Sequence, residues 1–345
     1  MRVDAMVLRR HGGPEVLERE TIDLPDPGPR EVRVRVRAVA MNHMDLWVRR
    51  GLPNLKLEYP HRLGCDIVGE VESLGAGARG AKPGDRVMLQ PALSCGVCAA
   101  CLGGTDNLCR GYHILGESTQ GGYATHVVVP DVNLIPMPAA LAFEAAAALP
   151  LCTLTAWQMV VKKARVAPGQ VVLVHAAGSG VSSIAIQIAK LFGAEVIATV
   201  GSDDKKDKAR ALGADHVVNY RDEDFVARCK EITGRRGVDA VLDHVGGEVF
   251  EKSVLATAWG GRIVTCGATA GFSPKIDLRQ IFFRQIEVLG STMGSKADLL
   301  AALPHLASGA IRPVVDRVVP LWSAREAHEA LEARRAFGKI VLAVD

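Results

Sequence analysis

Apolar and polar residues alternate in short runs through the first third of the chain, most plainly in Glu31-Val-Arg-Val-Arg-Val-Arg37. Pro and Gly clusters such as Pro25-Asp-Pro-Gly-Pro29 separate these runs. Period-two alternation buries one face of a strand and wets the other, so the pattern predicts an antiparallel β domain. From Gln170 to Gly267 the texture changes. Apolar runs at Val171–His175, Val196–Val200, Ala240–His244 and Ile263–Cys266 alternate with helical stretches such as Ser183–Phe192. Strands with no polar face, separated by helices, predict a parallel sheet covered on both sides. Beyond Val288 the pattern predicts a helix over Lys296–Ala307, a second near Ala324–Arg335 and a last strand over Lys339–Val344. The expected fold is α/β: a β-rich domain over 1–150, a doubly wound parallel-sheet domain over 151–287, and a further segment over 288–345.

Composition adds little to this and excludes a few partners. The chain has 345 residues, 48% of them apolar and 23% charged, and 41 basic side chains offset 38 acidic ones to a net charge of +3. No block of like charge stands out, which argues against nucleic acid or an anionic membrane as partner. The most apolar stretch, Ala139–Val161, contains Glu144, Pro150 and Gln158. A membrane span tolerates a charge and a helix breaker poorly, so the stretch reads as a buried inter-domain helical region. The N-terminus lacks a signal pattern and begins a strand at once, which points to a cytoplasmic protein.

Four of the eight cysteines crowd into one segment, Cys95-Gly-Val-Cys98-Ala-Ala-Cys101 followed by Cys109. Two-residue spacings suit a chelating loop better than disulfides, and tetrahedral zinc accepts four sulfurs at about 2.3 Å. An iron–sulfur cluster is the competing occupant, since it too takes four cysteines. Four protein ligands close the shell, so a zinc in this lobe (about 91–112) is structural.

The run Val171–His175 leads through Ala176-Ala-Gly-Ser-Gly-Val-Ser-Ser183 into a helix. That order suits a dinucleotide pyrophosphate: small residues at Gly178, Ser179, Gly180 and Val181 let the backbone approach, and the helix start presents free amides. Ser183 stands where a third Gly or Ala is usual. The next strand ends Thr199-Val-Gly-Ser-Asp-Asp-Lys205 without the acidic residue that usually holds the ribose of NAD. NADP is therefore favoured over NAD, with Ser202 and Lys205 as candidates for its 2′-phosphate, although Asp203 and Asp204 oppose an anion there.

A cysteine lobe ahead of a dinucleotide-binding half resembles the medium-chain dehydrogenase/reductase superfamily, which includes zinc alcohol dehydrogenases and quinone oxidoreductases. Further matching pieces are Gly12-Gly-Pro-Glu-Val-Leu17, Asn42-His-Met-Asp-Leu46, Lys82-Pro-Gly-Asp-Arg-Val87, Gln120-Gly-Gly-Tyr-Ala124, Leu212-Gly-Ala-Asp215 and Phe337-Gly-Lys-Ile-Val-Leu342. The resemblance implies a GroES-like catalytic domain built from both chain ends, a central Rossmann-type domain, substrate in the cleft between them, and a homodimer or homotetramer. It also implies that Lys205 and Tyr220 flank the adenosine phosphate, that His43 approaches the pyrophosphate, that Lys339 belongs to the cofactor site, and that the Gly267 turn borders the nicotinamide. In the family's fingerprint frame Ala177, Ser179 and Ser182 replace three glycines.

Zinc alcohol dehydrogenases hold a second, catalytic zinc. At the positions matching its ligands this chain has Asn42, Cys65 with Asp66, and Cys152. Cys65, Asp66 and Cys152 make one candidate ligand set; the opposing expectation is that both cysteines are small buried packing residues, as Cys229 and Cys266 are taken to be. Met44 stands where zinc enzymes place a proton-relaying hydroxyl. Asp45 is expected beside the site, or as the cap of a helix beginning near Leu46. Three functions follow: hydride transfer between a nicotinamide and a small alcohol/carbonyl pair, zinc-independent reduction of a quinone or enone by NADPH, or NADP binding without catalysis.

Overall fold

The computed structural model describes residues 1–345. The chain divides into two compact units, Met1–Leu151 with Pro313–Asp345, and Cys152–Arg312.

The first unit is organised by a seven-stranded sheet. Its order is Val315–Pro320, Lys339–Ala343, Glu31–Ala40, Asp66–Leu74, Arg86–Leu89 and Leu134–Pro136, with His126–Pro130 pairing on Glu31–Ala40. All pairings are antiparallel except that between Val315–Pro320 and Lys339–Ala343. The alternation at 31–37 works as expected: Val32, Val34 and Val36 are buried, while Arg33, Arg35 and Arg37 turn outward. Helix Ala324–Glu332 ties the end of the chain to its beginning. Its His328, fully buried, meets the Arg49 guanidinium at 3.0 Å and the Tyr123 hydroxyl at 3.2 Å. Arg49 also donates to the Gly12 carbonyl and pairs with Glu332. Burial pulls the His328 imidazole down to about 3, so it serves as a neutral hydrogen-bonding link.

The second unit is a six-stranded parallel sheet in the order His216–Asn219, Glu195–Val200, Val171–Val174, Val238–Asp243, Thr257–Thr265, Glu287–Gly290. In chain order this is 3-2-1-4-5-6, the Rossmann arrangement, whose direction of winding reverses between Val171–Val174 and Val238–Asp243. The expected GroES-like plus Rossmann-type fold is the one found. Strand Thr257–Thr265 starts six residues before the apolar run Ile263–Cys266, because Trp259-Gly260-Gly261 forms an irregular stretch where the register shifts and hides the alternation. The return to the first unit falls at Pro313 and not at 288, since Glu287–Gly290 completes the parallel sheet. Helix Phe143–Ala147 and the stretch after it form the one segment long and apolar enough to cross a membrane, Phe143–Lys163. Its apolar window is 83% buried in the protein, which makes it a core helix.

Candidate functional site

The cysteine lobe folds around backbone turns. Gly96 takes φ +74° between Cys95 and Cys98, Cys98 opens the short helix Ala99–Leu102, and Cys109 follows the turn Asp106–Leu108. The four sulfurs lie within 4.8 Å of one another, with Cys98–Cys101 at 3.6 Å and Cys95–Cys101 at 3.9 Å. These separations are far from a disulfide bond, about 2.05 Å. They match the edge of a tetrahedron of sulfurs about 2.3 Å from a central zinc, roughly 3.8 Å. The Val97 and Cys98 amides draw the Cys95 thiol down to about 6, toward the thiolate a metal needs. Val97, Leu102 and Leu108 are exposed, so the lobe has little core of its own. The donor set fits a metal.

The Ala176–Ser183 segment forms the turn between strand Val171–Val174 and helix Gly180–Leu191, beside the reversal of winding. Ser179 is the N-cap and its Oγ accepts from the Ser182 amide at 3.0 Å. Helix geometry leaves the next amides, those of Gly180 and Val181, without an acceptor inside the helix. Gly178, Ser179 and Gly180 are only half-buried, so these donors are accessible. Anions are favoured at such a helix start by free N–H groups and by the dipole, and this loop fits a dinucleotide pyrophosphate.

At the end of the next strand, Gly201 lies under the Tyr220 ring: a Cβ there would come within 2.7 Å of the Tyr220 hydroxyl. Ser202 and Lys205 are half-buried and Tyr220 is exposed. The two acids are engaged locally. Asp203 pairs with Lys206 at 2.9 Å and accepts from Asn219 at 3.2 Å, and Asp204 bonds the Ser202 hydroxyl.

Strand register builds the third cluster. Ala40 pairs with both Asp66 and Val341, so Asn42, Asp66 and Lys339 converge at one end of the antiparallel sheet. Lys339 Nζ donates to Asn42 Oδ1 at 2.6 Å and to Asp66 Oδ2 at 2.9 Å. Asn42 Nδ2 donates to Asp66 Oδ2 at 2.9 Å and lies 3.4 Å from Cys65 Sγ. Asp66 Oδ1 accepts from the Leu151 amide at 2.6 Å. An ammonium only donates and a carboxylate only accepts, which fixes the orientation of the Asn42 amide between them. Asp66 is fully buried, Lys339 is 5% exposed, and the pair forms a buried salt bridge.

Asp45 braces the same corner. The helix begins at His43, capped by Asn42, and not near Leu46. Asp45 Oδ2 accepts from the Asn42 amide at 2.7 Å and Oδ1 from the Gly64 amide at 2.9 Å. Burial pushes its carboxyl up to about 6.

Asn42 turns its N–H₂ toward Cys65, both Asp66 oxygens are engaged, and a dication on Asp66 would stand beside the Lys339 ammonium. The four-cysteine lobe is the only group of three or more His, Cys, Asp or Glu in the chain arranged to hold a metal. Cys65 and Cys152 are buried. His43 opens its helix next to Trp47, and Gly267 follows strand Thr257–Thr265, its carbonyl accepting from Thr265 Oγ1 at 3.1 Å. Sequence reasoning assigned Lys339 to the cofactor and missed its pairing with Asp66. The available signal was a lone Lys opening an apolar strand, Lys339-Ile-Val-Leu, where a buried cation needs an acidic partner.

Residues 28–139 match the family described as alcohol dehydrogenase GroES-like domain, and residues 180–308 match the zinc-binding dehydrogenase family. The chain is 33% identical over 348 aligned positions to quinone oxidoreductase 1 of Escherichia coli, covering 96% of this chain and 97% of that protein. It is also 33% identical to an NAD-dependent alcohol dehydrogenase of Sulfolobus acidocaldarius, covering 99% of each. A solved structure described as an NAD-dependent alcohol dehydrogenase superposes with a TM-score of 0.96 at 53% identity, covering all of both chains. A β-rich GroES-like unit joined to a Rossmann-type unit defines a class of two-domain oxidoreductases. Within that class, the chain belongs to the medium-chain dehydrogenase/reductase superfamily, and it is an enzyme.

Proposed function

We propose that this enzyme is an NADP(H)-dependent reductase of small conjugated carbonyl acceptors, quinones or enones, that works without a catalytic zinc. The carrying observation is the Asn42–Asp66–Lys339 cluster, in which an ammonium occupies the carboxylate at positions where zinc alcohol dehydrogenases place metal ligands. When bound, the nicotinamide supplies the hydride. The protein binds and orients: the Gly180 and Val181 amides would hold the pyrophosphate and Ser202, Lys205 and Tyr220 the adenosine phosphate, while Asn42 and Asp45 brace the corner of the sheet. A conjugated acceptor spreads the incoming charge over its own π system. An unactivated alcohol, by contrast, needs a group that acidifies its hydroxyl, which is the service a zinc provides.

The second reading, interconversion of simple alcohols and carbonyls with a zinc on Cys65 and Cys152, is favoured by the retention of both cysteines. Turnover assays and metal analysis separate the two. The expected result is oxidation of NADPH by quinones or enones, at most one zinc per chain, and Cys152→Ala holding turnover within a few fold while stability falls by about 1 kcal/mol. Two zincs per chain, with alcohol oxidation abolished in Cys152→Ala, would establish the second reading.

Cys95, Cys98, Cys101 and Cys109 hold one structural zinc, and the preference is for NADP over NAD. Lys205→Ala is expected to weaken NADPH binding by about 1–3 kcal/mol more than NADH binding, the range for a charge-assisted hydrogen bond. Titration of both cofactors by nicotinamide fluorescence checks this, and equal losses would show that Lys205 does not read the 2′-phosphate. None of the eight cysteines is in a disulfide, which suits a cytoplasmic enzyme. Strand Glu287–Gly290 has one unpaired edge, and Phe272, Leu278, Phe282 and Phe283 are exposed in the segment leading to it. A second copy of the chain is the proposed cover, giving a homodimer or a homotetramer.

A further inference from the structure

The turn after strand Val238–Asp243 is held unusually firmly. Asp243 Oδ1 accepts from the amides of Val245 at 2.6 Å and Gly246 at 3.1 Å. The His244 carbonyl accepts from the Thr269 amide at 3.2 Å and from the Thr269 hydroxyl at 3.3 Å. Gly246, at φ +72°, lies so close to the next segment that a Cβ there would come within 2.4 Å of the Gly271 carbonyl oxygen. The backbone of His244 is thus fixed at the end of the strand that neighbours Val171–Val174.

From that position its ring reaches across to the first turn of helix Gly180–Leu191. Nε2 lies 2.8 Å from Ser179 Oγ and 3.0 Å from Ser182 Oγ. Ser182 is 2% exposed, and its hydroxyl is tied a second time by donation to the His175 carbonyl at 2.6 Å. Ser179 sits at the half-buried lip of the loop, and apart from the Ser182 amide its Oγ has only His244. Both serines stand where the family's fingerprint has glycine, and glycine is used there because a side chain obstructs the approach of the phosphates to the backbone.

We propose that His244 is a positioning residue for the cofactor pyrophosphate: by drawing the Ser179 hydroxyl back toward the Asp243–His244 turn, it leaves the Gly180 and Val181 amides open in a loop that lacks the usual glycines. This rests on the dinucleotide reading of the loop, whichever cofactor is preferred. The histidine ring itself meets the two serine hydroxyls. It acts through Ser179, and it makes a serine-bearing loop behave like a glycine-bearing one.

The test measures dissociation constants for NADPH, NADH and 2′-AMP, which lacks the pyrophosphate, by calorimetry. His244→Ala is expected to weaken both dinucleotides by a similar factor, about 5- to 10-fold, and to leave 2′-AMP within 2-fold. His244→Gln, whose amide can still bond the hydroxyl, should recover most of the loss. In a Ser179→Gly background, where no hydroxyl remains to be held, His244→Ala should change dinucleotide binding less than 2-fold. Unchanged dinucleotide binding in His244→Ala, or an equal loss in the Ser179→Gly background, overturns the proposal. An equal loss for 2′-AMP also overturns it, by showing a general disturbance of the fold. If His244→Ala does not fold, His244→Leu, which fills the space without a polar group, carries the same comparison with and without Ser179→Gly, the expected loss then being confined to the Ser179 background. Wild-type protein that binds neither dinucleotide refutes the cofactor reading and this proposal together, whereas binding of NADH without 2′-AMP refutes only the 2′-phosphate assignment.

Discussion

Lys339→Met is expected to lower the stability of the first unit by about 3–5 kcal/mol, the cost of leaving one member of a buried ion pair alone. The size follows from the surroundings. Asp66 has no access to water, and without the ammonium its Oδ2 keeps only the Asn42 amide, while Asn42 Oδ1 loses its 2.6 Å donor. Methionine fills a similar volume, so the loss reports charge and not a cavity. With a shift of about 2–4 °C per kcal/mol for a domain of this size, the thermal midpoint should fall by on the order of 10 °C. Adding Asp66→Asn to Lys339→Met removes the stranded charge and should recover more than half of the loss. Calorimetry of the single and double variants decides it. A single-variant loss under 1 kcal/mol would mean that the pair is solvated or exchangeable.

Cys98→Ser is the second large effect. The lobe presents Val97, Leu102 and Leu108 to solvent and carries its sulfurs on turns, so it has few apolar contacts with which to hold itself together. For such a loop, metal-binding free energy is folding free energy. The variant should lose one zinc per chain by elemental analysis and become open to protease cleavage within about 91–112. Its local stability should fall by roughly 4 kcal/mol or more, the scale reserved for loss of a metal. Turnover per folded molecule should remain recognisable, because four cysteine ligands leave the ion no position for substrate. Purified wild-type protein with no metal and four freely titrating thiols would contradict the assignment.

The elements that could be read from the sequence are those whose physics is local. Period-two alternation at 31–37, unbroken apolar runs at 171–175 and 196–200, and cysteines two residues apart each declare themselves within ten residues. What could not be read depends on pairings distant in the chain. Lys339 and Asp66 are 273 positions apart, and no short window around either reveals that strand register sets them side by side. His244 follows an apolar strand and looks like any turn residue until the neighbouring strand places Ser179 beside it. The helix start was misplaced because Asn42, a good N-cap, lies among residues read for metal and cofactor chemistry, and Asp45 satisfies the helix start from inside its first turn. Residues 288–312 were assigned to the wrong unit because an edge strand of four residues, Glu287–Gly290, is too short to show which sheet it joins.

The division of the chain also sets an order of events during synthesis. Every strand of the parallel sheet lies between Val171 and Gly290, so the second unit can close as soon as Arg312 has left the ribosome. The first unit has been waiting since Leu151, with Asp66 lacking its counter-charge and Arg49 lacking His328 and Glu332. The half of the protein made first is therefore finished last. Until Lys339 emerges, that half is a nascent sheet unpaired at Ala38–Ala40, where the last strand will join it, with an unneutralised carboxylate in its interior. Such an intermediate is the one a ribosome-associated chaperone would meet.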